Sequence, residues 1–295
     1  MASLKEIRSR IHSVQTTRKI TSAMKMVAAA KLKKAQDSVL NLRPYAYKLF
    51  GILVDITRSI ENETISTEYL RPVQKNGKTL LVVITSNKGL CGAFNSNVIK
   101  KATGLAENEF ATQLINGDLY LYTIGRKGTE FFDSKDYNLY DSNDQILDDA
   151  SFKNATPLIN QIMDSFLNKE FDRIKIVYNK FKNAAVQILT EEQFLPIDMS
   201  FSNGEDEERF HYIYEPGKEE IIQNLIPQAL RIQLYDAILE SLAAEHGARM
   251  TAMHKATDNA TDLIKDLQLT YNKARQAAIT NEISEVVSGA QALNS

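Results

Sequence analysis

Cysteine is almost absent from this chain of 295 residues, in which Cys91 is the only one. A single thiol excludes an internal disulfide and a zinc site built from cysteines, and it agrees with a reducing compartment. Histidine is scarce too, and the two that share a helical stretch, His246 and His254, are eight residues apart. That separation is too long for the i, i+4 pair of a zinc-binding helix. We therefore expect no metal and no cofactor.

Long apolar runs are missing as well. No stretch approaches the roughly 18 apolar residues of a spanning helix. At the start, charged residues interrupt the segment "MASLKEIRSRIHSV" before it can develop the apolar stretch of a signal peptide. The composition, 43% hydrophobic and 24% charged, is typical of a folded, soluble protein with a substantial core. The sequence thus predicts a protein that stays in the compartment where it is made.

The usual catalytic patterns are not found either, since no Ser-His-Asp arrangement, paired-carboxylate motif or metal signature occurs. The glycine loop "SNKGLCGAFN" stands between a predicted strand and a predicted helix, where a Rossmann fold would hold a pyrophosphate. It has neither the G-x-G-x-x-G spacing nor the spacing of a P-loop. It is also not followed, about 20 residues later, by an acidic residue that ends a second strand. A tight structural turn is therefore favoured over a nucleotide site, and a small buried hydrophobe over a reactive thiol at Cys91.

Charge is unevenly distributed, although the net charge is only −2. Residues 1–50 contain eleven Lys or Arg and two acids, a net of +9, so residues 51–295 carry −11. Such a basic arm favours an acidic partner, and a solvated helix face is the alternative.

This basic arm also carries a heptad pattern. Steps of three and four from Leu4 to Ile60 visit seventeen positions, of which fourteen are apolar, and this predicts a long coiled-coil helix. The three exceptions are consecutive: Arg18, Thr21 and Lys25. Over the same stretch an apolar stripe is displaced in phase, as a stutter or a local change of partner would require: Ile20, Met24 and Val27. We expect something other than the coil's own partner to pack there. Pro44 lies off the seam and is expected to bend or interrupt the helix.

The chain from about Lys218 onward repeats the pattern, with eleven of sixteen seam positions apolar. At about 1.5 Å per residue, the last 75 or so residues would form a rod on the order of 110 Å long, with a break or kink near Pro227. Helices of this length need a partner, and the simplest is an antiparallel pairing of the two chain ends. The longer C-terminal helix would protrude, and its end is rich in small residues that suit a tight hole: Ala274, Ala277, Ala278, Gly289 and Ala290.

The middle of the chain changes period. Continuous β-branched runs at 78–86, 118–125, 173–181 and 185–196, with helical segments between them, predict an α/β domain with a mostly parallel sheet. We therefore expect an N-terminal coiled-coil helix at 1–60, a Rossmann-like domain at 78–196 inserted into the coil, and a C-terminal coiled-coil helix at 218–295. The acidic stretch Asn203 to Pro216 is interpreted as a solvated loop whose aromatic end docks on a partner.

With both ends in view, the chain resembles the gamma subunit of F-type ATP synthase over its whole length. The resemblance is carried by "KEIRSRIHSVQTTRKITSAMKMVAAAKLKKAQ", by "ATDNATDLIKDLQLTYNKARQAAITNEISEVVSGA", and more loosely by "GLCG" and "YEP". The family's C-terminal signature is matched at Ile279, Thr280, Glu282, Glu285, Gly289 and Ala290. The inserted cysteine pair of chloroplast-type chains has no counterpart here, so the chain is similar to the bacterial type.

The resemblance implies a non-catalytic rotor. Its coiled coil would enter a hexameric ring of three alpha and three beta subunits, and its α/β foot would rest, with the epsilon subunit, on the c-ring of the membrane sector. One copy per complex would couple proton flow to ATP synthesis or hydrolysis, as a peripheral protein on the cytoplasmic face of the cell membrane. It also implies contacts with beta, through Arg275 and Gln276 at the "ARQ" position and through Lys19, Met24 and Lys25 on the N-terminal helix.

Two rival hypotheses remain open at this point. A nucleic-acid-binding coiled coil would set the basic arm on phosphates, but the arm has few aromatics to stack on bases. A Rossmann-type enzyme with helical arms would bind a nucleotide in isolation. Because of the resemblance we expect no nucleic acid among the partners.

Overall fold

A computed structural model describes residues 4–58, 68–72, 74, 77–197 and 217–293 of the chain. The acidic stretch 203–216, with its "YEP" end, lies outside these residues. The elements are α1 (Leu4–Arg58), β1 (Thr79–Ile84), α2 (Phe94–Asn108), α3 (Ala111–Asn116), β2 (Leu119–Ile124), α4 (Arg126–Asp133), β3 (Leu139–Asn143), α5 (Phe152–Leu167), β4 (Arg173–Phe181), β5 (Gln187–Leu195) and α6 (Lys218–Leu293). Short 3-10 turns occur at Glu68–Leu70 and Gln145–Leu147.

A five-stranded sheet with the order β3-β2-β1-β4-β5 forms the middle of the chain. The pairs β1–β2, β1–β4 and β2–β3 are parallel, and only the β4–β5 pair is antiparallel. Strand β1, "TLLVVI", is buried at every position, as expected for a central parallel strand covered on both faces. The predicted Rossmann-like sheet is thus confirmed.

Both faces of the sheet carry an apolar core. Alternate side chains of β1 point to opposite sides, so Leu81 and Val83 pack with α2 and α4 around Phe110 and Phe132. On the other face, Leu80, Val82 and Ile84 join α5 and the first half of α6. Helix α6 therefore begins as part of the core of the α/β domain.

Three elements of the sheet domain, the short helices α3 and α4 and the strand β3, were not predicted from the sequence. Strand β3 is short, polar and only half-buried at an edge, so it lacks the apolar run that identifies the other strands. Helix α4 has eight residues and follows β2 after one glycine. That residue, Gly125, has φ 104°, and a Cβ there would lie 2.5 Å from the Thr85 carbonyl oxygen. Only glycine fits this turn.

Neither proline interrupts its helix, contrary to one of the expected outcomes. Helix α1 continues through Pro44 and α6 continues through Pro227. A proline in a helix removes one backbone hydrogen bond. Residues on both sides of each proline, Val39 and Leu49 on α1 and Ile226 and Leu230 on α6, are buried. This packing outweighs the lost bond.

The chain divides into two compact units, residues 1–28 with 250–295, and residues 29–249. The first is a pair of helix segments from the two chain ends, and the second contains the sheet with the adjoining parts of α1 and α6. The three domain ranges expected from the sequence, 1–60, 78–196 and 218–295, stay a prediction. No described helix combines the length and the hydropathy needed to cross a bilayer.

Candidate partner-contact surfaces

The crevice where a Rossmann fold would hold its ligand is filled by α6. In this sheet the crevice lies at the carboxyl ends of β1 and β4, where the strand order reverses. The guanidinium of Arg249 donates hydrogen bonds there to the carbonyl oxygens of Lys88 (2.8 Å) and Gly89 (3.3 Å), and it also pairs with Glu245. The backbone of the glycine loop is thus tied to the helix.

Close packing completes this closure. A Cβ on Gly247 would lie 3.2 Å from the Cα of Ala184, so α6 packs tightly against the end of the sheet at this glycine. Cys91 is buried against Ala244 and Ala248 of α6. Burial raises the pKa of the Cys91 thiol, which keeps it protonated. The loop "GLCG" therefore has the geometry of a structural turn.

Within the described parts of the chain, no three His, Cys, Asp or Glu side chains form a group that could hold a metal ion. The contact residues predicted from the sequence all lie in the unit formed by the two chain ends.

In that unit, α1 and α6 run antiparallel. The hydroxyl of Thr21 lies 2.9 Å from that of Thr257, and the Nζ of Lys25 lies 3.5 Å from Nδ1 of His254. Advancing along α1 thus means going back along α6. Continued to the chain start, this register brings Leu4 level with about residue 274 at equal rise per residue in both helices.

The first contact surface, which we call the α1 strip, consists of the exposed side chains Lys19, Ile20, Met26 and Val27. Ile20 and Val27 are seven residues apart and lie on one side of the helix. Large apolar groups beside a lysine, left in water, favour a partner that offers both an apolar surface and a carboxylate. The displaced apolar stripe of the sequence therefore lies largely outside the helix pair.

Two predicted contact residues are less available than the α1 strip. Met24 is half-buried, and so is Lys25, whose amine is directed to His254. Met26, by contrast, was not singled out from the sequence although it is among the most exposed apolar side chains. Its position next to Lys25 and Val27 was the only available signal.

The second surface, the tip segment, is residues 275–289 of α6, and every one of its side chains is exposed. It begins with the predicted contact residues Arg275 and Gln276. Besides small residues it carries four large apolar side chains in water: Ile279, Ile283, Val286 and Val287. These lie at spacings of three, four and seven or eight and so share one helix face. The expectation of a slender tail missed this stripe.

The structure does not gather the five predicted contact residues into one site. Lys19, Met24 and Lys25 lie level with residues 253–259 of α6, whereas Arg275 and Gln276 follow sixteen or more residues later. At about 1.5 Å per residue the two groups are roughly 25–35 Å apart along the helix pair. A partner touching both must therefore be long, or there must be more than one contact.

Known proteins resemble this chain closely. The family described as ATP synthase matches residues 3–293. The ATP synthase gamma chain of Christiangramia forsetii is 50% identical over 294 residues, covering 100% of both chains. That of Flavobacterium johnsoniae is 50% identical over 299 residues, again covering 100% of both.

Chains in solved structures of ATP synthases are also similar to this chain. A chain of the central stalk and c-ring of Tetrahymena thermophila mitochondrial ATP synthase is 28% identical with a TM-score of 0.59, covering 80% of this chain and 99% of that one. A chain of Euglena gracilis mitochondrial ATP synthase, at 21% identity and a TM-score of 0.67, shares the fold over 98% of this chain and 94% of its own. This chain therefore belongs to the ATP synthase gamma-chain family.

Proposed function

We propose that the chain turns inside a hexameric ring of alpha and beta subunits and rests, with an epsilon subunit, on the c-ring of the membrane sector. As a gamma chain it is a rotor subunit of the ATP synthase complex and is not itself catalytic. It would couple proton flow through the c-ring to conformational change at catalytic sites on beta, from the cytoplasmic face of the membrane as a peripheral protein.

The observation that carries this proposal is the bare tip segment. Fifteen consecutive helical residues, 275–289, have exposed side chains, and four of these are large and apolar. An isolated helical stretch of this length is marginal in water, and its apolar face has no cover within the described residues. A sleeve formed by surrounding subunits would supply that cover.

Arg275 and Gln276, at the base of the tip segment, are suited to acidic partners. A guanidinium offers several donors in a fixed fork, and a neighbouring amide adds both a donor and an acceptor. Both side chains are exposed. We assign Arg275 the stronger role because a charge-assisted hydrogen bond to a carboxylate is about twice as strong as a neutral one.

The α1 strip would make the second contact with beta, further down the shaft. Lys19 supplies the charge, while Ile20, Met26 and Val27 supply apolar area. Met24 and Lys25 border this strip and would contribute from its half-buried edge. The basic arm as a whole has a net charge of +9 over residues 1–50 and would be stabilised electrostatically beside acidic loops.

An asymmetric shaft explains how one chain can control several sites. A single helix pair cannot contact three equivalent subunits in the same way, so each catalytic site is biased differently. To shift one two-state site from about 1:99 to 99:1 needs roughly 5.5 kcal/mol of differential contact energy. A few charged and apolar contacts of the kinds described supply energies of this order.

The test is to tag the chain in its native cells, solubilise the membranes gently, and measure subunit composition and ATP hydrolysis of the purified product. We expect three alpha and three beta subunits per tagged chain. Arg275→Ala should slow hydrolysis, whereas the matched control Lys273→Ala, an exposed cation two residues earlier, should not. Recovery of the chain alone or with nucleic acid would overturn the proposal.

A further inference from the structure

A continuous polar path joins α1 to the sheet through the buried carboxylate of Glu240 on α6. Its Oε1 accepts a hydrogen bond from Nη2 of Arg43 on α1 at 3.1 Å. Its Oε2 accepts one from the backbone N–H of Phe181, the last residue of β4, at 2.9 Å. One side chain thus holds three elements of the same compact unit.

The burial of the Glu240 carboxylate makes its two hydrogen bonds hard to break. The Glu240 side chain is only 2% exposed, although that of Arg43 is 55% exposed. A buried carboxylate without partners is strongly unfavourable, so its two hydrogen bonds resist being broken or exchanged for water. The surrounding apolar contacts of Val39, Leu234 and Ile238 have no such preferred direction.

The position of the ion pair on α1 adds to its importance. Arg43 precedes Pro44, so the pair lies at the turn where α1 lacks one backbone hydrogen bond. A helix is most easily bent at such a turn. The bond to Glu240 fixes α6 and β4 to α1 at this weak point.

We propose that Glu240 is a positioning residue through which torque passes between the α/β domain and both long helices. This inference rests on the proposed rotor function and deepens it. Torque applied at the α/β domain must reach α1 and α6 without slippage. The Arg43–Glu240–Phe181 path transmits a sideways force, because stretching or bending its hydrogen bonds costs energy in every direction.

The experiment uses the complete ATP synthase in inverted membrane vesicles, with Glu240→Gln and Arg43→Met made separately. Initial rates of ATP hydrolysis and of ATP-driven proton uptake are measured on the same vesicles. We expect hydrolysis to continue and the ratio of proton uptake to hydrolysis to fall measurably below the wild-type value, because part of the rotation would no longer be passed between the helices and the α/β domain.

Two further variants separate torque transfer from folding. Arg43→Lys should restore most of the ratio, because the wild-type contact is a single N–H···O bond that an ammonium group can reproduce. Asp37→Asn breaks an exposed pair with Lys33 on the same helix, 2.7 Å long, and should leave the ratio unchanged.

The outcomes are distinct. If Arg43→Met and Glu240→Gln keep the wild-type ratio, or lower the amount of complex without changing it, Glu240 has only a structural role and the inference is wrong. If Arg43→Lys fails like Arg43→Met, the charge pair is not what matters, which also contradicts it. Failure of the rotor proposal itself would show earlier, as wild-type preparations without alpha and beta subunits.

Discussion

The hydroxyl groups of Thr21 on α1 and Thr257 on α6 lie 2.9 Å apart across the helix pair. Thr21 is buried, and its hydroxyl also donates to the carbonyl oxygen of Arg18 at 3.1 Å. Together with buried Ala28 and Ala260, it gives the seam small side chains. Small residues let two helices approach closely, so the volume at position 21 sets their separation.

Thr21→Leu should therefore destabilise the purified chain by about 1–3 kcal/mol, because a larger side chain overpacks the seam. Thermal unfolding followed by helical circular dichroism measures this. Thr21→Val, which keeps the shape, should cost less than about 1 kcal/mol, since the Thr257 hydroxyl still reaches the Met253 carbonyl at 2.8 Å. Equal losses for both variants would show that the hydroxyl pair, not the volume, fixes the seam.

The same seam shows how far the sequence could predict the structure. The heptad pattern located the helix pair and the positions Met253 and Ala260 on α6, which are buried. It placed the next position one residue too early, at Leu263, which is exposed, whereas Ile264 is buried. Because both residues are apolar, periodicity alone could not choose between them; the partner helix decides.

Elements that are defined by tertiary contacts could likewise not be predicted from the sequence. Strand β3 is recognised by its pairing with β2, not by its polar residues. The role of Arg249 in closing the crevice depends on a loop 160 residues earlier in the chain. The contact residues Arg275, Gln276, Lys19, Met24 and Lys25 stay predictions, because a contact surface is defined by a partner as much as by this chain.

Polar substitutions in the tip segment should separate folding from assembly. The double variant Ile283→Ser, Val286→Ser changes exposed side chains, so the stability of the free chain should stay within about 0.5 kcal/mol of wild type. If the tip segment occupies an apolar sleeve, losing two buried side chains should weaken assembly tenfold or more, on the order of 1.5–3 kcal/mol each. Yield of intact complex per tagged chain is the readout.

The control for the tip variant is Asn281→Ser, a polar replacement in the same exposed stretch. It should leave both the stability of the chain and the yield of complex unchanged. A wild-type yield from the double variant would mean that the apolar face of the tip segment stays in water in the assembled protein.

His246 should make the chain sensitive to acid. Burial, and then the nearby charges of Arg249 and Lys31, lower the pKa of His246 to about 4. The unfolded chain binds this proton near pH 6.5, so stability falls as the pH drops from about 6.5 towards 4, by about 2 kcal/mol at pH 5. Urea unfolding at pH 7 and pH 5 should show His246→Gln losing less stability than wild type over this interval. Identical losses would mean that His246 is protonated without cost in the fold.

Asp236 should act in the opposite direction. Burial, and then the negative charge of Glu240, raise the pKa of Asp236 to about 6, and its Oδ1 is buried with no hydrogen-bond partner among the described residues. The folded chain therefore holds a proton that the unfolded chain releases near pH 3.9. Ionised Asp236 thus lowers the stability of the fold increasingly as the pH rises to about 6, and the full loss of stability persists at higher pH.

Asp236→Asn, an uncharged side chain of the same shape, should stabilise the chain at pH 8 by about 1–2 kcal/mol, allowing for partial exposure to water. At pH 4 the two proteins should unfold at nearly the same urea concentration, because most of the cost has then disappeared. A variant no more stable than wild type at pH 8 would show that Asp236 is ionised in the fold and that the neighbouring cations, Lys180 and Arg43, compensate its charge.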